Sequence, residues 1–267
     1  MSFARKLRAV FATQIANMLV YRAEVIIWML TGTLSFIMMA IWISQARSSP
    51  TGTIGGLTGG DFASYFLGTW IVGQLLVVWV VWELDMQVRL GQLSPKLLRP
   101  FDPMWEHVGA HIAEKVVRLP FMAVIVAAIV LLVPGAHVTA DPLMWLAFAG
   151  VITVAFMTRF LLEYCLGMLA FWMESATSLQ NLSFLAYAAL GGIFAPLSLY
   201  PDAIRAFALV TPYPYMVNLP ARMISGTASW SDVASGVVVL LGWLAALTTL
   251  RLVMWRRGVK RYGAVGA

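Results

Sequence analysis

The 267-residue sequence holds few residues that could do chemistry, and they fall in three places. The first is EHVGAHIAE, residues 106–114. His107 and His111 are four apart and Glu114 lies a turn further. On a helix all three share a face, with a spacing that can ligate a metal. The internal glutamate of H-E-x-x-H is missing, and the stretch stands between apolar runs, in an expected cytoplasmic loop. It is read as a polar helix face without a metal. The second place is Arg159 with Glu163, also four apart, inside a long apolar run. Such residues pair across one helical turn, and ionisable groups at membrane depth are costly and face protein or water. Counted from Leu143, Arg159 stands about 24 Å down a helix, in the inner part of a bilayer. The pair reads as a latch or pathway lining, as a structural pair, or as a proton relay. The third place is Ser178, Gln180, Asn181 and Ser183. Gln180 and Asn181 are about 100° apart on a helix, so at most one is expected to line a given pathway. Such groups also bond neighbouring helices.

Other enzyme chemistry finds no footing. Cys165 is the single cysteine and makes no intrachain disulfide. No serine or cysteine has a histidine expected at its depth. The phosphate-cradling G-x-x-x-x-G-K-[ST] does not occur. No catalytic residue, metal or cofactor is expected on this chain.

The scaffold that must position these residues is a membrane one. The chain is 61% hydrophobic and 11% charged, where a soluble domain carries roughly 25% charged residues. A span needs about 20 apolar residues. Six runs qualify, at 25–44, 62–82, 116–133, 143–172, 177–197 and 233–254, the fourth being too long for one upright span. Arg5, Lys6, Arg8 and Arg22 precede the first run. Arg89, Lys96, Arg99, Lys115 and Arg118 follow the second, and Arg256, Arg257, Lys260 and Arg261 follow the last. Only Arg47, Arg205 and Arg222 fall on the alternate side. This asymmetry puts both termini and the loop after the second run in the cytoplasm, with an even number of spans. It also explains the net charge of +6 without nucleic acid. Trp82, Trp172 and Trp255 near expected inner ends, and Trp42 and Trp145 near outer ones, match an interfacial aromatic belt.

Three connecting segments carry patterns of their own. Phe3, Leu7, Val10, Phe11, Ile15 and Leu19 form one helical stripe with Arg5, Lys6 and Arg8 at or beyond its edge. That predicts a helix lying in the cytoplasmic interface over residues 1–23. RLGQLSPKLLRPFDP, residues 89–103, predicts a short bounded helix. Gly91 closes the preceding span, Ser94-Pro95 supplies an N-cap and a first-turn proline, and Pro100 ends the turn. Leu93, Leu97, Leu98 and Phe101 offer apolar contact, flanked by Lys96 and Arg99. Residues 191–226 are too apolar for an exposed loop and too broken, by Pro196, Pro201, Pro212, Pro214 and Pro220, for a span. They predict short helices dipping into the outer leaflet, covered by protein where the backbone breaks. The glycine-rich TGTIGGLTGG, residues 51–60, reads as a flexible outer connection.

The order of these pieces, with IFAPLSLYP…TPYPYMVNLPARMISG and RLGQLSPKLLRP, resembles the membrane subunits of bacterial type-2 ATP-binding-cassette exporters. The resemblance covers nearly the whole chain. It implies an all-α integral membrane protein of six transmembrane helices forming a single domain over 1–267. Residues 1–23 are then the interfacial helix, 84–115 the cytoplasmic coupling loop and 195–226 a re-entrant outer segment before the last span. It further implies a permease in the bacterial inner membrane that pairs with a second permease, the same or a homologous chain, and with two cytosolic ATPase subunits. Those subunits hold the ATP and Mg. Leu93, Ser94, Pro95, Lys96, Leu97, Leu98, Arg99, Pro100 and Phe101 then form the ATPase-coupling segment. The alternative is an ion-coupled secondary transporter that uses the Arg159–Glu163 pair. The largely apolar pathway suits a lipid, a drug or a hydrophobic natural product, and polymers use similar scaffolds.

Overall fold

The structure is a computed structural model that describes residues 31–265. The expected interfacial helix and the start of the first run lie outside those residues. A 3₁₀ turn, Thr31–Thr33, leads into α1 (Leu34–Ser48), which runs four residues past the expected end of the first span. The glycine-rich stretch, expected as an outer connection, contains a short hairpin. Strands β1 (Thr53–Ile54) and β2 (Leu57–Thr58) pair antiparallel, Thr53 opposite Thr58. Thr58 and Asp61 then form a reciprocal capping box that starts α2 (Gly59–Leu76).

The second run is two helices. α2 ends at Leu76, residues 77–79 leave the helix, and α3 (Val80–Arg89) resumes it. A four-residue α4 (Ser94–Leu97) follows. α5 (Met104–Leu132) is one helix of 29 residues, so the polar stretch at 106–114 belongs to it. α6 (Pro142–Met168) carries the whole fourth run as a single helix with a 3₁₀ end, Leu169–Phe171. α7 (Thr177–Gly191) stops at Gly192. The proline-rich segment forms a 3₁₀ turn, Leu197–Leu199, then α8 (Asp202–Val210), α9 (Tyr213–Met216) and α10 (Asn218–Ile224). The last helix, α11 (Trp230–Val265), has 36 residues.

Among the described residues four segments are long and apolar enough to cross a membrane: Gly59–Arg89, Met104–Leu132, Pro142–Phe171 and Trp230–Tyr262. α1 and α7, at the places of the first and fifth expected spans, have 15 residues each. Burial separates these helices in a way composition does not. Of the most apolar stretch, 78% is buried in protein for Gly59–Arg89, but only 17% for Met104–Leu132 and for Trp230–Tyr262. α2 is therefore the central post, with Phe62 to Val72 buried without interruption. It packs against α1, α5, α6 and α10. A Cβ at Gly68 would stand 2.7 Å from the Ala221 carbonyl oxygen of α10, so this crossing requires glycine.

α10 thus turns back into the molecule, with Leu219, Pro220, Ala221, Met223 and Ile224 all buried. Gly68 is nine residues into α2, so α10 reaches about 13 Å along it. The carbonyls freed where α7 gives way to this segment have side-chain donors. Tyr65 Oη donates to Gly192 at 2.8 Å, Trp42 Nε1 to Phe194 at 2.8 Å and Tyr200 Oη to Ala189 at 2.6 Å. Burial pushes the Tyr200 phenol above its ordinary pKa, which keeps it a donor.

Candidate functional site

The loop between α3 and α5 is built as a bracket. Gly91 takes a left-handed φ of 70°, and the Leu93 N–H returns to the Gln87 carbonyl at 3.1 Å, closing α3. Ser94 is not the N-cap; Leu93 holds that place, and no side chain caps α4. The Ser94 hydroxyl instead meets Tyr262 Oη of α11 at 2.9 Å. Lys96 Nζ pairs with Glu106 of α5 at 3.2 Å, and Arg99 lies 4.0 Å from the same carboxylate. Asp102 accepts the Met104 N–H at 2.9 Å, starting α5, and its other oxygen pairs with Arg251 of α11. The apolar residues divide. Leu93 is fully buried and Leu97 packs against the core, while Leu98 is 87% exposed. Phe101 is half-buried; Ser94, Pro95, Arg99 and Pro100 are exposed.

The buried side of this bracket continues into α5. His107, His111, Glu114, Lys115 and Arg118 are all buried on one helical face. That face lies against the break in the second run. The Lys115 ammonium donates to the Val77 carbonyl at 2.9 Å, and His111 Nε2 accepts the Trp79 N–H at 2.9 Å. His111 Nδ1 is 2.8 Å from the His107 carbonyl, so it carries the ring proton. His107 Nδ1 lies 2.8 Å from Glu83 on α3. Arg118 pairs with Glu114 and donates to Gln74 of α2 at 2.6 Å. The histidines thus serve as caps and partners, and the described residues contain no metal-binding cluster. The expectation of a polar face was drawn for a cytoplasmic loop; the helix buries it instead. Sequence reasoning missed Lys115 and Arg118 by counting them only as topological charge. Their offsets of eight and eleven from His107 continue the same helical face and were a readable signal.

Arg159 and Glu163 form an ion pair at 2.7 Å with both side chains buried. Ser183 of α7 donates to Glu163 at 2.8 Å, and the Arg159 guanidinium lies over the Tyr187 ring at 4.1 Å. α6 and α7 are joined through this pair. Beside it is a cavity of about 420 Å³ lined by Arg159 and Arg118, by Gln74, Gln180 and Asn181, and by apolar residues of α1, α2 and α7. Gln180 and Asn181 both line it, although their directions on α7 differ. The cavity sits beside the chain break, whose Val77, Val78 and Trp79 form part of its wall.

A family model described as ABC-2 family transporter protein matches residues 29–266. No curated protein matches the chain. Several apolar helices of spanning length make it a multi-pass membrane protein, and the family match covers all four of those among the described residues. A transport subunit with no nucleotide motif of its own, the chain belongs to the ABC-2 transporter family as a permease.

Proposed function

We propose that the chain is the permease of an ATP-driven exporter of the bacterial inner membrane, with six spans and both termini in the cytoplasm. Two permeases, identical or homologous, enclose the substrate pathway. Each couples through residues 93–101 to one of two separate cytosolic ATPase subunits, which hold ATP and Mg. The observation that carries this reading is the bracketed loop. Leu98 stands almost bare beside Arg99 and Pro100, while Leu93, Lys96 and Ser94 tie the backbone behind it to the core, α5 and α11. A force applied at Leu98 therefore passes into two long helices. The ion-coupled alternative gains no support from the family match, and Ser183 and Tyr187 hold the Arg159–Glu163 pair closed.

Affinity purification of the full chain from its native membrane tests the reading. A nucleotide-binding subunit should co-purify, and transport in vesicles should stop with vanadate. Transport by this chain alone, driven by a proton gradient, would overturn it.

A further inference from the structure

The last turns of α11 present two unlike faces. Arg251, Trp255, Gly258 and Tyr262 fall within an arc of about 60° on the helix, and all four are engaged by the protein. Arg251 pairs with Asp102, and Trp255 lies against the Tyr164 and Phe171 rings. Gly258 abuts Phe171 with no room for a Cβ, and Tyr262 Oη meets Ser94 at 2.9 Å. Nearly opposite, Arg256, Arg257, Lys260 and Arg261 share an arc of about 140°. All four are exposed, and among the described residues none of them joins an ion pair. Their depth follows from the helix itself. Trp145 and Trp230, exposed at the starts of α6 and α11, mark the far membrane interface. From Trp230 the four cations stand about 39 to 47 Å along the helix, and a bilayer with its headgroups is about 40–45 Å thick. The basic face therefore reaches the headgroup layer at the C-terminal end of α11.

We propose that this face binds the headgroups of anionic phospholipids in the leaflet at that end. Clustered lysine and arginine just beyond a spanning helix attract an anionic surface, and their long side chains reach along the helix to the phosphates. The engaged back face fixes which way the four charges point, so they meet the lipid together. A zwitterionic headgroup offers them no net charge. An acidic protein surface would have to enter the headgroup layer to reach Arg256 and Arg257. Through Tyr262 and Arg251, headgroups that hold this end of α11 also hold the loop of residues 89–103. The lipid contact does not rest on the permease reading.

The full chain in phosphatidylcholine liposomes is given phosphatidylglycerol or phosphatidylcholine spin-labelled on the acyl chain. The motionally restricted part of the EPR spectrum then yields the relative association of each lipid with the protein. At about 10 mM salt the anionic lipid should be favoured about fivefold, the worth of one cation beside an anionic surface. At about 500 mM salt, screening should bring the ratio close to one. Replacing Arg256, Arg257, Lys260 and Arg261 together by Gln should remove the greater part of the preference. Replacing Arg256, Arg257 and Arg261 together by Lys keeps the charge and should retain it. If the fourfold variant does not fold, Arg256→Gln with Lys260→Gln, and Arg257→Gln with Arg261→Gln, should each about halve the ratio. No preference in the native chain, a preference that survives these Gln variants, or equal loss in the Lys and Gln variants overturns the proposal. A fourfold Gln variant that keeps the lipid preference but no longer co-purifies with an ATPase also overturns it and gives the face to an acidic protein. Failure of an ATPase to co-purify with the native chain bears on the permease reading and leaves the lipid result standing.

Discussion

Leu97 and Leu98 are neighbours in sequence with opposite tasks. Leu97 packs inward with Leu93, whereas Leu98 faces out. Leu98→Asp is therefore expected to leave thermal unfolding in detergent unchanged while uncoupling ATP hydrolysis from transport or releasing the ATPase. Leu93→Asp buries an unpaired charge and should lower expression and stability together. If Leu98→Asp preserves assembly and coupled transport, the docking assignment is wrong. The ion pair on α6 has its own signature. Arg159→Gln strands a buried carboxylate, at a cost of about 3–5 kcal/mol. The double change with Glu163→Gln should cost less than the sum of the two singles, which a double-mutant cycle of unfolding midpoints measures. Additive losses would show that the two side chains act separately.

At the level of elements, the second span is broken where α5 is most polar. Val77 and Trp79 leave the helix, and Lys115 and His111 take up the backbone groups this exposes. Lys115→Met removes the donor and leaves the Val77 carbonyl buried, a loss of about 1–3 kcal/mol. The expected result is a lower melting temperature and faster proteolysis near residues 77–79. Unchanged stability would mean that lipid or water serves that carbonyl. α10 supplies a second test, because its contact with α2 is backbone to backbone at Gly68. Gly68→Leu forces the two apart, and overpacking of this kind costs about 1–3 kcal/mol. The same protein yield and melting temperature as the native chain would contradict the close crossing.

Across the whole molecule, α11 links the two faces. Its 36 residues reach about 54 Å, longer than a hydrocarbon layer of about 30 Å. Its C-terminal part meets the loop of residues 89–103 through Tyr262 with Ser94 and Arg251 with Asp102. These contacts place the loop and the C-terminal end on one side, as the positive-inside count expects. Labelling tests which side this is, in a background where the buried Cys165 is replaced by Ser. An impermeant maleimide should reach Leu98→Cys only in inverted vesicles and Asp202→Cys only in intact cells. The reverse pattern would invert the topology.

Long apolar runs, asymmetric lysines and arginines, and proline and glycine at turns were enough to read a helical membrane protein from sequence. They also located the bounded loop and the short helices of the outer segment, because length, charge and backbone restriction act locally. Which helix sits at the centre was not legible: α2, α5 and α11 are all apolar, and only packing separates a protein-facing surface from a lipid-facing one. The chain break at 77–79 was equally silent. Its residues are ordinary apolar ones, and the groups that cap it lie more than thirty positions away. The sequence paired Arg159 with Glu163 through helical periodicity. Tertiary contact alone brought Arg118, Gln180 and Asn181 to the same cavity, because a wall built from five helices has no local pattern to betray it.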